Sequence, residues 1–123
     1  MRRLGELEAE IMQRLWDWGE PATVREVMED LEQSRRIAYT TVMTVMDNLY
    51  RKGILGRELD GRAYRYSPTA TREEYHAELM AEVLAGSPDQ AATLLRFVEK
   101  IGPHAARRMR RALDNTRRKP PAR

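Results

Sequence analysis

The chain has 123 residues, 41% hydrophobic and 33% charged, with 22 basic against 19 acidic side chains and a formal net charge of +3. This suits one soluble domain, or a small domain with an appendage, whose core alone would be modest. The lack of cysteine excludes disulfides, zinc–cysteine fingers and thiol catalysis, no run of about 18 apolar residues suggests membrane insertion, and the charged start MRRLGELEAE shows no secretory signal.

Residues 5–18 form the first helical pattern, with Leu7, Ile11 and Leu15 on one stripe and Met12 and Trp16 broadening it. Gly19-Glu20-Pro21 ends it. Thr23 opens a second helix, and Glu26 stands at capping-box spacing from it. Val24, Val27, Met28 and Leu31 supply its apolar face, and residues 32–36 read as a polar connection. The third helix begins near Ala38 and stops at Gly53, a natural left-handed cap. Its apolar stripe is Val42, Val45, Met46 and Leu49. The opposite face carries Thr40, Thr44, Asp47 and Arg51, flanked by Thr41, Met43 and Asn48. Threonine and asparagine are weak helix formers. Their short polar side chains suit base edges and phosphates in a major groove, although a plain solvent face could also carry them.

Residues 54–68, ILGRELDGRAYRYSP, have strand character, with Asp60-Gly61 as the turn signal. Leu55 and Leu59 share a face of the first strand, Tyr64 and Tyr66 a face of the second. Three helices followed by a hairpin is the winged helix-turn-helix plan: the third helix enters the groove and the hairpin reaches along the backbone. Arg57, Arg62 and Arg65 surround the hairpin turn, Arg51 and Lys52 close the third helix, and Tyr39 opens it. All are candidates for phosphate or base contact. Asp47 would be repelled by phosphate, so it is expected to face away or to accept from cytosine or a neighbouring arginine.

After Pro68 the pattern changes. Thr71 is the expected cap of a helix with Glu73 and Glu74 in its first turn and Tyr75, Leu79, Met80, Val83 and Leu84 on its stripe. Gly86 ends it, and Ser87 with Pro88 is expected to open the next. That helix shows Ala91, Leu94, Leu95, Phe97, Val98 and Ile101 on more than one side. Gly102-Pro103 breaks the chain before a last helix, about 104–116, with Met109 and Leu113 among many arginines. The predicted fold is mainly α: a winged helix-turn-helix domain over 1–70, a three-helix dimerisation region over 71–116 and a disordered basic tail over 117–123. Packing against an identical copy is the simplest cover for the apolar C-terminal helices, and a two-fold dimer would meet an inverted repeat. Folding back on the N-terminal domain is the alternative. The expected dimerisation residues are Tyr75, Leu79, Met80, Val83, Leu94, Leu95, Phe97, Val98, Ile101, Met109 and Leu113.

Charge is segregated along the chain. Residues 1–33 carry 4 basic and 9 acidic side chains, 34–65 carry 7 and 3, and 103–123 carry 8 and 1. Segregated positive charge is the footprint of a polyanion-binding protein. The excess of 19 arginines over 3 lysines is what a GC-rich genome produces without any function. No phosphate-binding loop, nucleophile elbow or zinc-protease motif is present, so no enzyme is expected. His76 and His104 stand apart from other ligand-type residues, so neither metal nor other cofactor is expected.

The runs LGELEAEIMQRLWDWGEPATVREV, AYTTVMTVMDNLYRKGIL and LLRFVEKIG together resemble the penicillinase-repressor family of bacterial transcriptional regulators, over roughly residues 4–102. The resemblance implies a dimeric, cytoplasmic, nucleoid-associated repressor on inverted-repeat operators in double-stranded DNA. Thr40, Thr41, Met43 and Thr44 would be its leading contacts and residues 55–66 its wing. In the beta-lactam branch of that family a membrane sensor metalloprotease triggers cleavage at an Asn-Phe bond. The matching bond here is Arg96-Phe97, which keeps Phe-Val-Glu-Lys and lacks the Asn. Release by proteolysis there and release by a ligand both stay open. The copper branch uses a C-terminal cysteine cluster, which this chain lacks. A winged-helix adaptor that binds protein instead of DNA is the other functional class the plan allows.

Overall fold

The computed structural model describes residues 4–118, which fall into two compact units, the first ending at Leu79 and the second beginning at Met80. The first unit holds α1 (Glu6–Trp18), α2 (Val24–Glu32), α3 (Tyr39–Arg51), β1 (Leu55–Asp60), β2 (Ala63–Pro68) and the first part of α4 (Arg72–Ala85). The second holds the rest of α4 and α5 (Gln90–Arg118). The mainly α, winged helix-turn-helix expectation is met. Among the described residues no helix is long and apolar enough to cross a membrane.

Each helix of the first unit contributes its i, i+3, i+4 stripe to one core. Ile11, Met12 and Leu15 come from α1, Val27 and Leu31 from α2, and Val42, Met46 and Leu49 from α3, all fully buried. Leu55 of β1 and Tyr66 of β2 close the core from the hairpin side. No polar or charged residue is buried among the described residues, so burial of apolar surface is what holds α3 in place.

The ends of the helices are set locally. Thr23 Oγ1 accepts from the Glu26 N–H at 3.1 Å while the Glu26 carboxylate accepts from the Thr23 N–H at 2.9 Å. Thr71 and Glu74 repeat the same reciprocal cap on α4. Gly53, at φ 79°, takes the left-handed conformation that stops α3.

The hairpin pairs antiparallel from Leu55 with Pro68 to Asp60 with Ala63. This leaves Gly61 and Arg62 as the two loop residues, one position later than the Asp-Gly signal suggests. Only Gly61 has positive φ, the sign pattern of a turn with glycine first. Leu55 is buried but Leu59, on the same face, is 63% exposed, because the core ends before the hairpin tip. One element escapes sequence patterning: Ala22 forms a single bridge with Tyr66, with N–H···O distances of 2.9 and 2.8 Å. It fastens the hairpin to the α1–α2 connection.

Tyr75, expected on the dimerisation stripe, is a core residue of the first unit at 3% exposure. Its ring packs 5.7 Å from that of Trp16, whose Nε1–H donates to the Ala70 carbonyl at 3.0 Å. Burial raises the Tyr75 phenol above its ordinary pKa, and Glu8 adds to the effect. Leu79 also packs against this core.

In the second unit α4 ends at Ala85 before Gly86. The next helix starts two residues later than the Ser-Pro pair suggests. Asp89 is the cap, its carboxylate accepting from the Ala92 N–H at 3.0 Å, whereas the Ser87 hydroxyl is engaged with Thr93 and with the Asp89 carbonyl. The backbone of α5 breaks at Gly102 (φ 85°, ψ 170°), followed by Pro103, so three helical pieces follow the hairpin. The last piece runs through Arg118, into the segment expected to be a disordered tail; residues 119–123 of that tail lie outside the described residues.

Candidate nucleic-acid interface

The buried stripe of α3 fixes which side chains turn outward. Tyr39, Thr40, Thr41, Met43, Thr44, Asn48 and Arg51 are all exposed. The side chains of Thr40, Thr41, Thr44 and Asn48 make no hydrogen bond among the described residues, so their donors and acceptors are available. Tyr39 lies under the Arg25 guanidinium at 5.9 Å. The N-terminus of α3 differs from those of α2 and α4. Its cap residue is Ala38, which offers no side-chain acceptor, and its first turn holds no acid. Backbone N–H groups at such an end favour an anion.

Asp47 is accounted for by the structure. Its carboxylate accepts from Arg51 Nε at 3.1 Å, one turn along α3, and from Arg57 Nη1 at 3.1 Å, across to β1. Arg57 in turn lies between two rings, its guanidinium carbon 3.9 Å from the Tyr50 centroid and 4.0 Å from that of Tyr64. A longer contact of 3.5 Å reaches the Tyr66 hydroxyl. Hydrogen bonding to Tyr66, with that to Asp47, holds the Arg57 pKa above the ordinary arginine value. A guanidinium stacked between two aromatic faces and bonded to a carboxylate is strongly oriented. Arg57 is thus turned onto its own hairpin and α3.

The other expected cations divide in the same way. Arg65 lies on the opposite face of β2. Its Nε donates to Asp60 at 2.8 Å, and its Nη1 donates to Glu26 at 3.2 Å and to the Pro21 carbonyl at 3.4 Å. Bonding to Asp60, then the charge of Glu26, raises its pKa. Lys52 reaches back to Glu8 of α1 at 3.0 Å. Arg51 stays 74% exposed despite Asp47. Arg62, at the hairpin tip, is exposed and makes no ion pair among the described residues. The sequence reading missed Arg36, exposed just before α3 and equally unpaired, and Tyr50, which supports Arg57. The positive charge of residues 34–65 was the available signal for Arg36. No group of three or more metal-ligating side chains occurs among the described residues.

A family model described as penicillinase repressor matches residues 4–115. The transcriptional regulator BlaI of Mycobacterium tuberculosis, in strains CDC 1551 and H37Rv, is 45% identical over 116 residues, covering 92% of this chain and 84% of the relative. Among solved structures, Bacillus licheniformis BlaI, monomeric form in complex with the blaP half-operator, superposes with a TM-score of 0.51 at 24% identity, over 60% of this chain and 89% of that one. The DNA-binding domain of the repressor BlaI gives 0.51 at 24% identity, over 61% and 94%. These two likenesses show the winged-helix fold. With nearly the whole chain matched, it belongs to the penicillinase repressor family.

Proposed function

We propose that the chain is a DNA-binding transcriptional repressor that places the outer face of α3 in the major groove of an operator. The observation that carries this is that face itself: Thr40, Thr41, Met43, Thr44 and Asn48 are exposed on a helix whose opposite side is fully buried, and their polar groups are uncommitted. Threonine methyls and the Asn48 amide suit thymine and adenine edges. The uncapped start of α3, Tyr39, Arg36, Arg51 and Arg62 suit phosphates. Arg57 and Arg65 brace the wing, and Lys52 supports α3 from below through Glu8.

The active form is a homodimer acting on DNA in the cytoplasm, matched to an inverted repeat. Its support is the apolar surface of the second unit: Met80, Val83, Leu94, Leu95, Phe97, Val98, Met109 and Leu113 are between 36% and 75% exposed, with Ile101 half-buried. Tyr75 and Leu79 belong to the first core and drop out of that interface. The Arg96-Phe97 bond lies inside α5, with Arg96 paired to Glu99 at 3.2 Å. Cleavage there by a sensor-triggered protease requires α5 to open locally first.

The test is a mobility shift with the DNA upstream of the chain's own gene against a scrambled duplex. Specific retardation is expected, and Thr44→Ala with Asn48→Ala should abolish the preference while leaving the unfolding midpoint unchanged. Equal affinity for both duplexes at 200 mM salt would refute the reading.

A further inference from the structure

Cations are spent unevenly in this molecule. In the first unit Arg14, Arg35, Arg51, Lys52, Arg57, Arg65 and Arg72 hold carboxylates of the same chain, and Arg25, Arg36 and Arg62 hold none among the described residues. In the last piece of α5, after Gly102, the opposite holds. Arg107, Arg108, Arg110, Arg111 and Arg117 are exposed, and none makes an ion pair among the described residues.

At about 100° per residue these five arginines fall within roughly one half of the helix circumference, along about 15 Å of axis. His104 and Asp114 share that half, and Asp114 is its one acidic member. The other half carries Ala105, Ala106, Met109, Ala112, Leu113 and Thr116. We infer that this basic face is a second, sequence-independent binding site for the phosphate backbone of duplex DNA.

The inference rests on the DNA-binding reading above and deepens it. Charge complementarity selects the occupant. Duplex DNA offers about one phosphate per 3.4 Å on each strand, so about four per strand lie within the length of the basic face. Arginine forks match phosphate oxygens in pairs. A lipid surface fits less well. Interfacial helices bury large apolar or aromatic residues, and the large apolar residues of the other half are Met109 and Leu113. A site tethered to the recognition domain raises affinity through effective concentration. It adds affinity without adding sequence preference, because phosphates carry no base information.

The experiment measures duplex affinity against salt for the full chain and for the combined variant R107Q, R108Q, R110Q and R111Q, on operator and on scrambled DNA. Each phosphate contact contributes about −0.9 to the slope of log K against log salt. The variant should flatten that slope by about 2 to 4 on both duplexes and keep the same ratio between them. The matching set of lysine substitutions keeps the charge and should restore the slope, which separates charge from folding or assembly. An unchanged slope in the glutamine variant overturns the proposal, as does a lysine set that fails like the glutamine set. Binding to phosphatidylserine vesicles that the variant loses, with its DNA slope unchanged, would assign the face to lipid and overturn it too. Failure of the full chain to prefer operator over scrambled DNA would refute the repressor reading alone, since the slope on scrambled duplex is read separately.

Discussion

Truncating Tyr66 tests what holds the wing. The residue is 97% removed from solvent, its backbone bridges Ala22, and its hydroxyl meets Arg57 only at 3.5 Å. These contributions can be separated. Removing the ring in Tyr66→Ala exposes or empties roughly 160 Å² of aromatic surface, which at about 25 cal/mol per Å² is about 4 kcal/mol. Large-to-small core changes of this type cost about 3–5 kcal/mol. Removing only the hydroxyl in Tyr66→Phe sacrifices a hydrogen bond at the limit of useful geometry, about 0.5 kcal/mol. Urea denaturation followed by circular dichroism measures both, and the midpoint of Tyr66→Ala should fall far below that of Tyr66→Phe. Both variants keep the Ala22 bridge, so the difference isolates the ring. If Tyr66→Phe lost as much stability as Tyr66→Ala, the hydroxyl–Arg57 contact would be the anchor and the account of a hydrophobically held wing would be refuted.

Arg57→Ala removes the brace between α3 and the hairpin, so operator affinity should fall on the order of tenfold, measured by fluorescence anisotropy. Arg57→Lys should not restore it, because an ammonium cannot stack flat between Tyr50 and Tyr64; full rescue by lysine would contradict the sandwich. The caps of α2 and α4 depend on carboxylates whose pKa values are lowered, Glu26 by the backbone and hydroxyl of Thr23 and by Arg65, Glu74 by Thr71. A lowered native pKa stabilises fully above the unfolded value of about 4.3 and is lost as pH falls through the native one. Urea midpoints measured from pH 6 to pH 3 should therefore decline below about pH 4.3, and less steeply in a Glu26→Gln, Glu74→Gln double variant. Gly102→Ala should destabilise by about 1–3 kcal/mol through backbone strain alone, since nothing lies within 4 Å of the added methyl. Thermal unfolding would show it, and an unchanged melting temperature would mean that the break relaxes.

Local chemistry made much of this fold legible. The Thr23–Glu26 box, the Thr71 cap and the Gly53 stop involve neighbours in sequence, and the α3 stripe has a period that only one face satisfies. Three kinds of information were not local. Tyr75 has an apolar period that predicts burial but not the surface that buries it, and Trp16, 59 positions earlier, supplies that surface. Ala22 forms a bridge of one residue, too short to leave a pattern. Arg57 looked like an outward wing cation because the sequence cannot show that Asp47, Tyr50 and Tyr64 converge on it. Ser87 and Asp89 are both good caps, and only the contact with Ala92 decides between them. The site followed the same division: the exposed face of α3 could be read from the period, whereas the assignment of each cation depended on distant carboxylates.

Asp47 holds Arg51 from the helix and Arg57 from the strand, and neither is among the side chains of α3 proposed to read bases. In the proposed repressor the residues that would choose bases are thus separate from those that set the angle between helix and wing. Thr40, Thr44 and Asn48 can be exchanged without touching that joint. A descendant of this protein could acquire a new operator through a few surface substitutions and inherit its grip on the backbone intact, whereas any change at Asp47 would disturb every operator alike.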